Sequence, residues 1–204
     1  MLRHTSSASV AEESVEVNFT GKNHWVYSSS ISGYVLVCDS VASRDLTSST
    51  KVQLSECYKS LAMEKKLEVE LPPAQIQRGG VDCGLFPPAF PCDLASGNEP
   101  SEIAYCQSGM RQHMIRSLEN ERFEPFPRQN RLQKTSRRSR RGNCDIDLFC
   151  SCSMPECFDN EIECDLCLDW IHMGRVKLSE EPFLQLKRRD AKEFCYLCYQ
   201  NSLI

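Results

Sequence analysis

Gln77-Arg78-Gly79-Gly80-Val81-Asp82-Cys83-Gly84-Leu85-Phe86 sets a cysteine between glycine-containing turns, at the head of an apolar run and six residues after a glutamine. Flanking glycines let backbone and substrate approach closely, and a helix beginning at Cys83 presents its positive end to a thiolate. Cys83 is therefore a candidate nucleophile. A buried, inert cysteine in a helix is the competing reading of the same residues, and the residues upstream bear on the choice. A helix from Cys83 to about Leu94 carries a cost of its own, because Pro87 and Pro88 fall at its fifth and sixth positions. There the missing N–H groups and the ring clashes cost up to ~3 kcal/mol each.

Working outward, two strand-like runs, His24–Ser28 and Tyr34–Asp39, flank Ser-rich residues around Gly33 and read as a hairpin. His24 and Asp39 sit at strand ends, where side chains can converge. Leu54, Cys57, Tyr58 and Leu61 recur at helical spacing after a Ser/Thr cluster able to cap. Lys66–Leu71 alternates like a strand and stops at Pro72-Pro73. A last helix is expected from Pro100-Ser101, with Ile103, Cys106, Met110, Met114 and Leu118 on one apolar face, and His113 is read as structural.

A thiol near its ordinary pKa of ~8.5 is mostly protonated at neutral pH, so a nucleophilic cysteine needs a base or an electropositive setting. His24 can supply the base, Asp39 can hold the imidazole in the right tautomer, and Gln77 can aim an amide N–H at an oxyanion. Each assignment is weak alone. Together, in the order His24, Asp39, Gln77, Cys83, they form a coherent catalytic set.

These residues resemble the ubiquitin-like (SUMO-type) cysteine proteases of the papain-like superfamily. The resemblance is carried by Asn23-His24-Trp25, by Val37-Cys38-Asp39-Ser40, and by Gln77 followed by Gly80-Val81-Asp82-Cys83-Gly84-Leu85-Phe86. Asn98-Glu99-Pro100, Met110-Arg111-Gln112-His113 and Phe126-Pro127 extend it toward the versions found in transposon-derived animal genes. The resemblance implies that His24, Asp39 and Cys83 are a triad, Gln77 the oxyanion glutamine, and Trp25 one wall of the tunnel that admits a Gly-Gly tail. The family places strands, helices and the tunnel's second aromatic wall before its histidine, whereas 23 residues precede His24. The expectation is the C-terminal part of such a domain, with an open sheet edge.

Thirteen cysteines are distributed unevenly, five in the first 127 residues and eight in the last 61, so they do not read as a uniform disulfide framework. The later ones fall as Cys150-Ser151-Cys152, Cys164-Asp165-Leu166-Cys167 and Cys195-Tyr196-Leu197-Cys198. Zinc takes four soft or borderline ligands in a tetrahedron, and CxxC knuckles supply two each. Cys164, Cys167, Cys195 and Cys198 thus make one complete site. The segment resembles the PHD finger, a cross-braced two-zinc domain that commonly reads histone tails. The resemblance implies a first site of Cys150, Cys152 and His172, lacking its fourth ligand because Arg175 stands there. It also implies Trp170, joined by Phe149, as walls of a methyl-lysine cage acting through cation–π attraction. Packing beside zinc is the alternative for Trp170.

Between these halves, residues 128–141 carry +7 with no acid, against −4 for the whole chain. This run is read as a basic linker, a nuclear import signal or a weak nucleic-acid contact. Residues 144–204 hold 12 acids and 6 bases, which suits a cationic histone tail. No apolar run approaches the ~20 residues needed to span a membrane, and residues 1–7 lack a signal-peptide core. An intracellular, nuclear or nucleocytoplasmic protein with no membrane partner is expected.

The expected fold class is α+β. The expected organisation is a disordered N-terminus over 1–16, the C-terminal part of a ubiquitin-like protease domain over 17–127, a basic linker over 128–143, and a PHD-like zinc finger over 144–204. Two functions stay open. One is a thiol peptidase or isopeptidase acting on ubiquitin-like protein conjugates; the other is an inactive transposon-derived relic serving as a zinc-dependent chromatin- or protein-binding module.

Overall fold

The computed structural model describes residues 13–41, 43, 45–129, 139, 141–149, 153–155, 161–163, 168 and 170–172. They are organised as a mixed α+β structure in two compact units, Met1–Ala62 with Leu67–Ile146, and Met63–Lys66 with Asp147–Ile204. No described helix is long and apolar enough to cross a membrane.

Strands β1 (Val15–Phe19), β2 (Trp25–Ser29), β3 (Val35–Cys38), β4 (Lys66–Leu71) and β5 (Gly142–Asp147) form one sheet in that order. β1–β2 and β2–β3 are antiparallel, whereas β3–β4 is parallel and needs a crossover. Helix α1 (Ser48–Tyr58) lies in that crossover, capped by Thr47, whose side chain accepts from the Thr50 N–H.

Side chains alternate across a strand, so neighbours in β2 serve opposite layers. Ser28 bonds Tyr58 of α1 at 2.9 Å and accepts from Asn18 of β1 at 2.6 Å. Tyr27 faces the other way, into a core with Phe86, Phe90, Tyr105, Met110 and Phe126. Its rings interlock: Tyr27–Phe90 centroids are 5.8 Å apart, and Phe86 and Phe90 meet Tyr105 edge-on at 6.1 and 5.9 Å.

The run after Cys83 departs from the expected helix in a way that removes its proline problem. Cys83–Leu85 is a 3₁₀ turn, and helix α2 begins only at Phe86 and ends at Ala95. Pro87 and Pro88 therefore occupy the first turn, where N–H groups have no intrahelical acceptor and a fixed φ is an advantage. Pro91 is the proline inside the helix.

The last helix of this unit also starts later than its apolar spacing suggests. Pro100–Glu102 is a separate 3₁₀ turn, and α3 spans Gln107–Glu119. Met110 is buried, but Leu118 is 62% exposed, so the apolar face stops short of it. His113 packs its ring on Phe126 at 4.7 Å and meets the Glu124 carbonyl at 3.0 Å, a structural role.

The described residues of 128–143 bond to the first unit at both ends of that run. Arg128 donates to the fully buried Asp93 at 2.6 Å, Ser139 bonds Ala74 through both backbone and hydroxyl, and β5 begins at Gly142 inside the sheet. The first unit runs on to Ile146, because a strand that pairs with β4 satisfies backbone groups a tether would leave to water. Residues 130–138 and 140 lie outside the described residues.

In the second unit, Met63 and Lys66 exchange backbone bonds of 2.8 Å around Glu64 and Lys65, both at positive φ, 49° and 61°. This is the geometry of a two-residue hairpin turn that Asn-Gly fits without strain. Replacing Glu64-Lys65 by Asn-Gly is expected to raise stability by about 1 kcal/mol. Guanidinium unfolding checks it, and a lower midpoint would contradict the turn assignment. The Leu148 N–H donates to the Lys65 carbonyl at 2.7 Å, Phe149 bridges Met154, and β6 (Glu161–Glu163) pairs antiparallel with β7 (Trp170–His172).

Candidate active site

The hairpin β2–β3 sets the first two site residues. His24 immediately precedes β2 and Asp39 immediately follows β3, and the antiparallel pairing brings these ends together. His24 Nε2 lies 2.6 Å from Asp39 Oδ1, with both side chains about 15% exposed. The same carboxylate oxygen accepts the Val41 N–H at 2.7 Å, which fixes its direction.

Cys83 enters from the other side of the chain, at the mouth of α2. It lines the same cleft as His24 and Asp39 and is one of the groups that raise the His24 pKa. The Cys83 sulfur also lies 4.0 Å from the Asn23 carbonyl. Asn23 holds a left-handed backbone, φ 55°, a conformation Asn tolerates better than most residues.

The His24 pKa is raised, foremost by the bond to Asp39 and further by Cys83, against a burial effect that lowers it. An imidazole that holds its proton readily is suited to pair with a thiolate. Cys38, one residue before Asp39, makes the contrast: burial pushes its thiol up to about 12, so it stays protonated and inert.

Gln77 is held by Ser40 at two points. Its backbone N–H donates to the Ser40 carbonyl at 2.8 Å, and its Oε1 accepts from the Ser40 hydroxyl at 2.8 Å. One hydrogen of Nε2 goes to the Gly79 carbonyl, 2.9 Å away; an amide nitrogen carries two, so a second donor remains. His24, Asp39, Gln77, Gly79, Gly80 and Cys83 line one cleft of about 390 Å³. Gly79 has φ +76°, and a Cβ on Gly79, Gly80 or Gly84 would meet open space, while Cys83 itself is buried, 9% exposed.

Trp25 is not part of that cleft lining. As the first residue of β2 it packs on Phe19 with ring centroids 5.0 Å apart and remains 38% exposed. Ser40 and Asn23 are site residues that motif reading did not assign a role. Ser40 is 2% exposed and follows Asp39 directly, but its tie to Gln77 spans 37 positions and leaves no local pattern.

Among the described residues, no group of three or more His, Cys, Asp or Glu side chains is placed to hold a metal. The cysteines expected to bind zinc, Cys150, Cys152, Cys164, Cys167, Cys195 and Cys198, lie outside the described residues, as does Arg175. His172 and Trp170 are described as backbone of β7, opposite Glu161 and Glu163 of β6. Phe149 is half-buried and bridges Met154.

No protein-family model, no curated protein and no solved structure matches this chain.

Proposed function

We propose that the protein is a cysteine-type peptidase or isopeptidase of the papain-like, SUMO-type class, acting on ubiquitin-like protein conjugates. The observation that supports this reading is the His24–Asp39 hydrogen bond at one cleft that Cys83 and Gln77 also line. In the reaction, the Cys83 thiolate attacks the carbonyl carbon of a Gly–lysine isopeptide or peptide bond, forming a C–S bond. Gln77 donates to the oxyanion while the C–N bond breaks, and the His24 imidazolium gives its proton to the leaving amine. Water, deprotonated by His24, then hydrolyses the thioester and frees Cys83 and the carboxylate.

The test uses SUMO and ubiquitin carrying a C-terminal Gly-Gly electrophile. Covalent capture at Cys83, absent in Cys83→Ala, is the expected result. Absence of labelling by either probe sinks the peptidase reading.

The C-terminal segment is proposed as a PHD-like, zinc-bound finger that binds histone tails. What supports it is the Cys164–Cys167 spacing in the six-residue connection between paired strands β6 and β7, the place a zinc knuckle takes in a finger. Metal analysis of the full chain is expected to give between one and two zinc ions. A metal-free protein that keeps this segment folded refutes it.

A further inference from the structure

Residues 78–82 join the oxyanion donor Gln77 to the nucleophile Cys83. This loop contains two glycines and an 80% exposed Val81, a composition with high conformational entropy and little packing. Both its ends are nevertheless tied to one residue at the start of α3. Gln107 Oε1 accepts the Arg78 N–H at 2.7 Å and Gln107 Nε2 donates to the Arg78 carbonyl at 2.8 Å. The same Nε2 donates to Asp82 Oδ2 at 2.7 Å. One turn on, Arg111 grips the other oxygen of Asp82.

From these contacts we infer that Gln107, backed by Arg111, is a positioning residue that fixes the distance between the Gln77 amide and the Cys83 sulfur. The inference rests on the peptidase reading above. Neither Gln107 nor Arg111 lines the cleft, so their effect runs through the backbone of the residues adjoining Gln77 and Cys83. A two-point clamp on the Arg78 peptide and a charge-assisted pair on Asp82 hold the loop where it has no core contacts of its own. Such bracing acts on a step that needs both groups in register, and not on one that needs the thiol alone.

Two reagents separate these steps. A Gly-Gly peptide aldehyde forms a thiohemiacetal whose oxygen needs the Gln77 donor, while iodoacetamide alkylates a thiolate by displacement and needs none. Gln107→Ala is expected to weaken aldehyde binding about tenfold, with iodoacetamide modification of Cys83 changed less than twofold and the melting temperature little altered. Arg111→Ala, at a 60% exposed side chain, gives the same pattern at lower amplitude and serves if Gln107→Ala does not fold. Equal losses with both reagents, or aldehyde binding unchanged in both variants, overturn the brace alone. Wild-type protein that ignores the aldehyde overturns the peptidase reading and the brace with it.

Discussion

Asp39→Asn is expected to lower turnover of a Gly-Gly substrate by about 10³- to 10⁴-fold, the scale seen when the orienting acid of a triad loses its charge. Asp39 accepts from His24 Nε2 and is itself fixed by the Val41 N–H, so the carboxylate sets which imidazole nitrogen carries the proton and which is left free. An amide at this position can turn its NH₂ toward the ring and reverse that choice. The substitution also has a signature independent of activity. The folded-state pKa of His24 is raised above its ordinary 6.5, chiefly through Asp39. The interaction therefore stabilises the fold fully below the unfolded value and is lost as pH rises through the folded one. The stability gap between wild type and Asp39→Asn should be widest in mild acid and narrow on going alkaline. Urea melts across that range check it, and a gap that widens with rising pH would contradict the raised His24.

Arg128→Ala is expected to cost about 3 kcal/mol, because it strands a carboxylate that has no access to water. Asp93 is fully buried near the end of α2, with Oδ1 on Arg128 and Oδ2 accepting the Tyr105 hydroxyl at 2.7 Å. Tyr105 stacks on Phe86 and Phe90, so the unpaired charge would sit against the aromatic core that carries the Cys83 turn. Arg128→Lys should recover only part of the loss, since an ammonium lacks the guanidinium's fork and reach. Chemical denaturation of both variants measures this. An Arg128→Ala protein as stable as wild type would mean that the pair contributes nothing to the fold.

Arg128 also shows what sequence patterning misses. It opens a run of seven bases without an acid, which reads as a solvated tether, yet its partner lies 35 positions upstream in a helix. No local periodicity records such a pair. Features set by short-range chemistry were legible: the β2–β3 hairpin, the cap before α1, the alternation in β4. The strand ends also place His24 and Asp39 correctly, because a hairpin brings together residues flanking its two strands on the same side. What failed was the start of α2. The apolar run beginning at Cys83 suggests a helix from that residue, but Pro87 and Pro88 suit only a first turn, and the helix begins at Phe86. Ser40 and Gln107 were invisible for another reason. Each acts through bonds to residues 25 or more positions away, which only the folded chain reveals.

The order of strands in the sheet has a consequence for synthesis. β4 ends at Leu71, and its outer neighbour β5 begins at Gly142. At about 5–20 residues per second, a ribosome delivers that partner only after several seconds. During this interval β4 has an open edge while the Cys83 segment and its α3 support are already translated. The nascent chain is then most exposed to strand-to-strand association, and its half-life in that form is set by elongation rate, not by the stability of the finished fold.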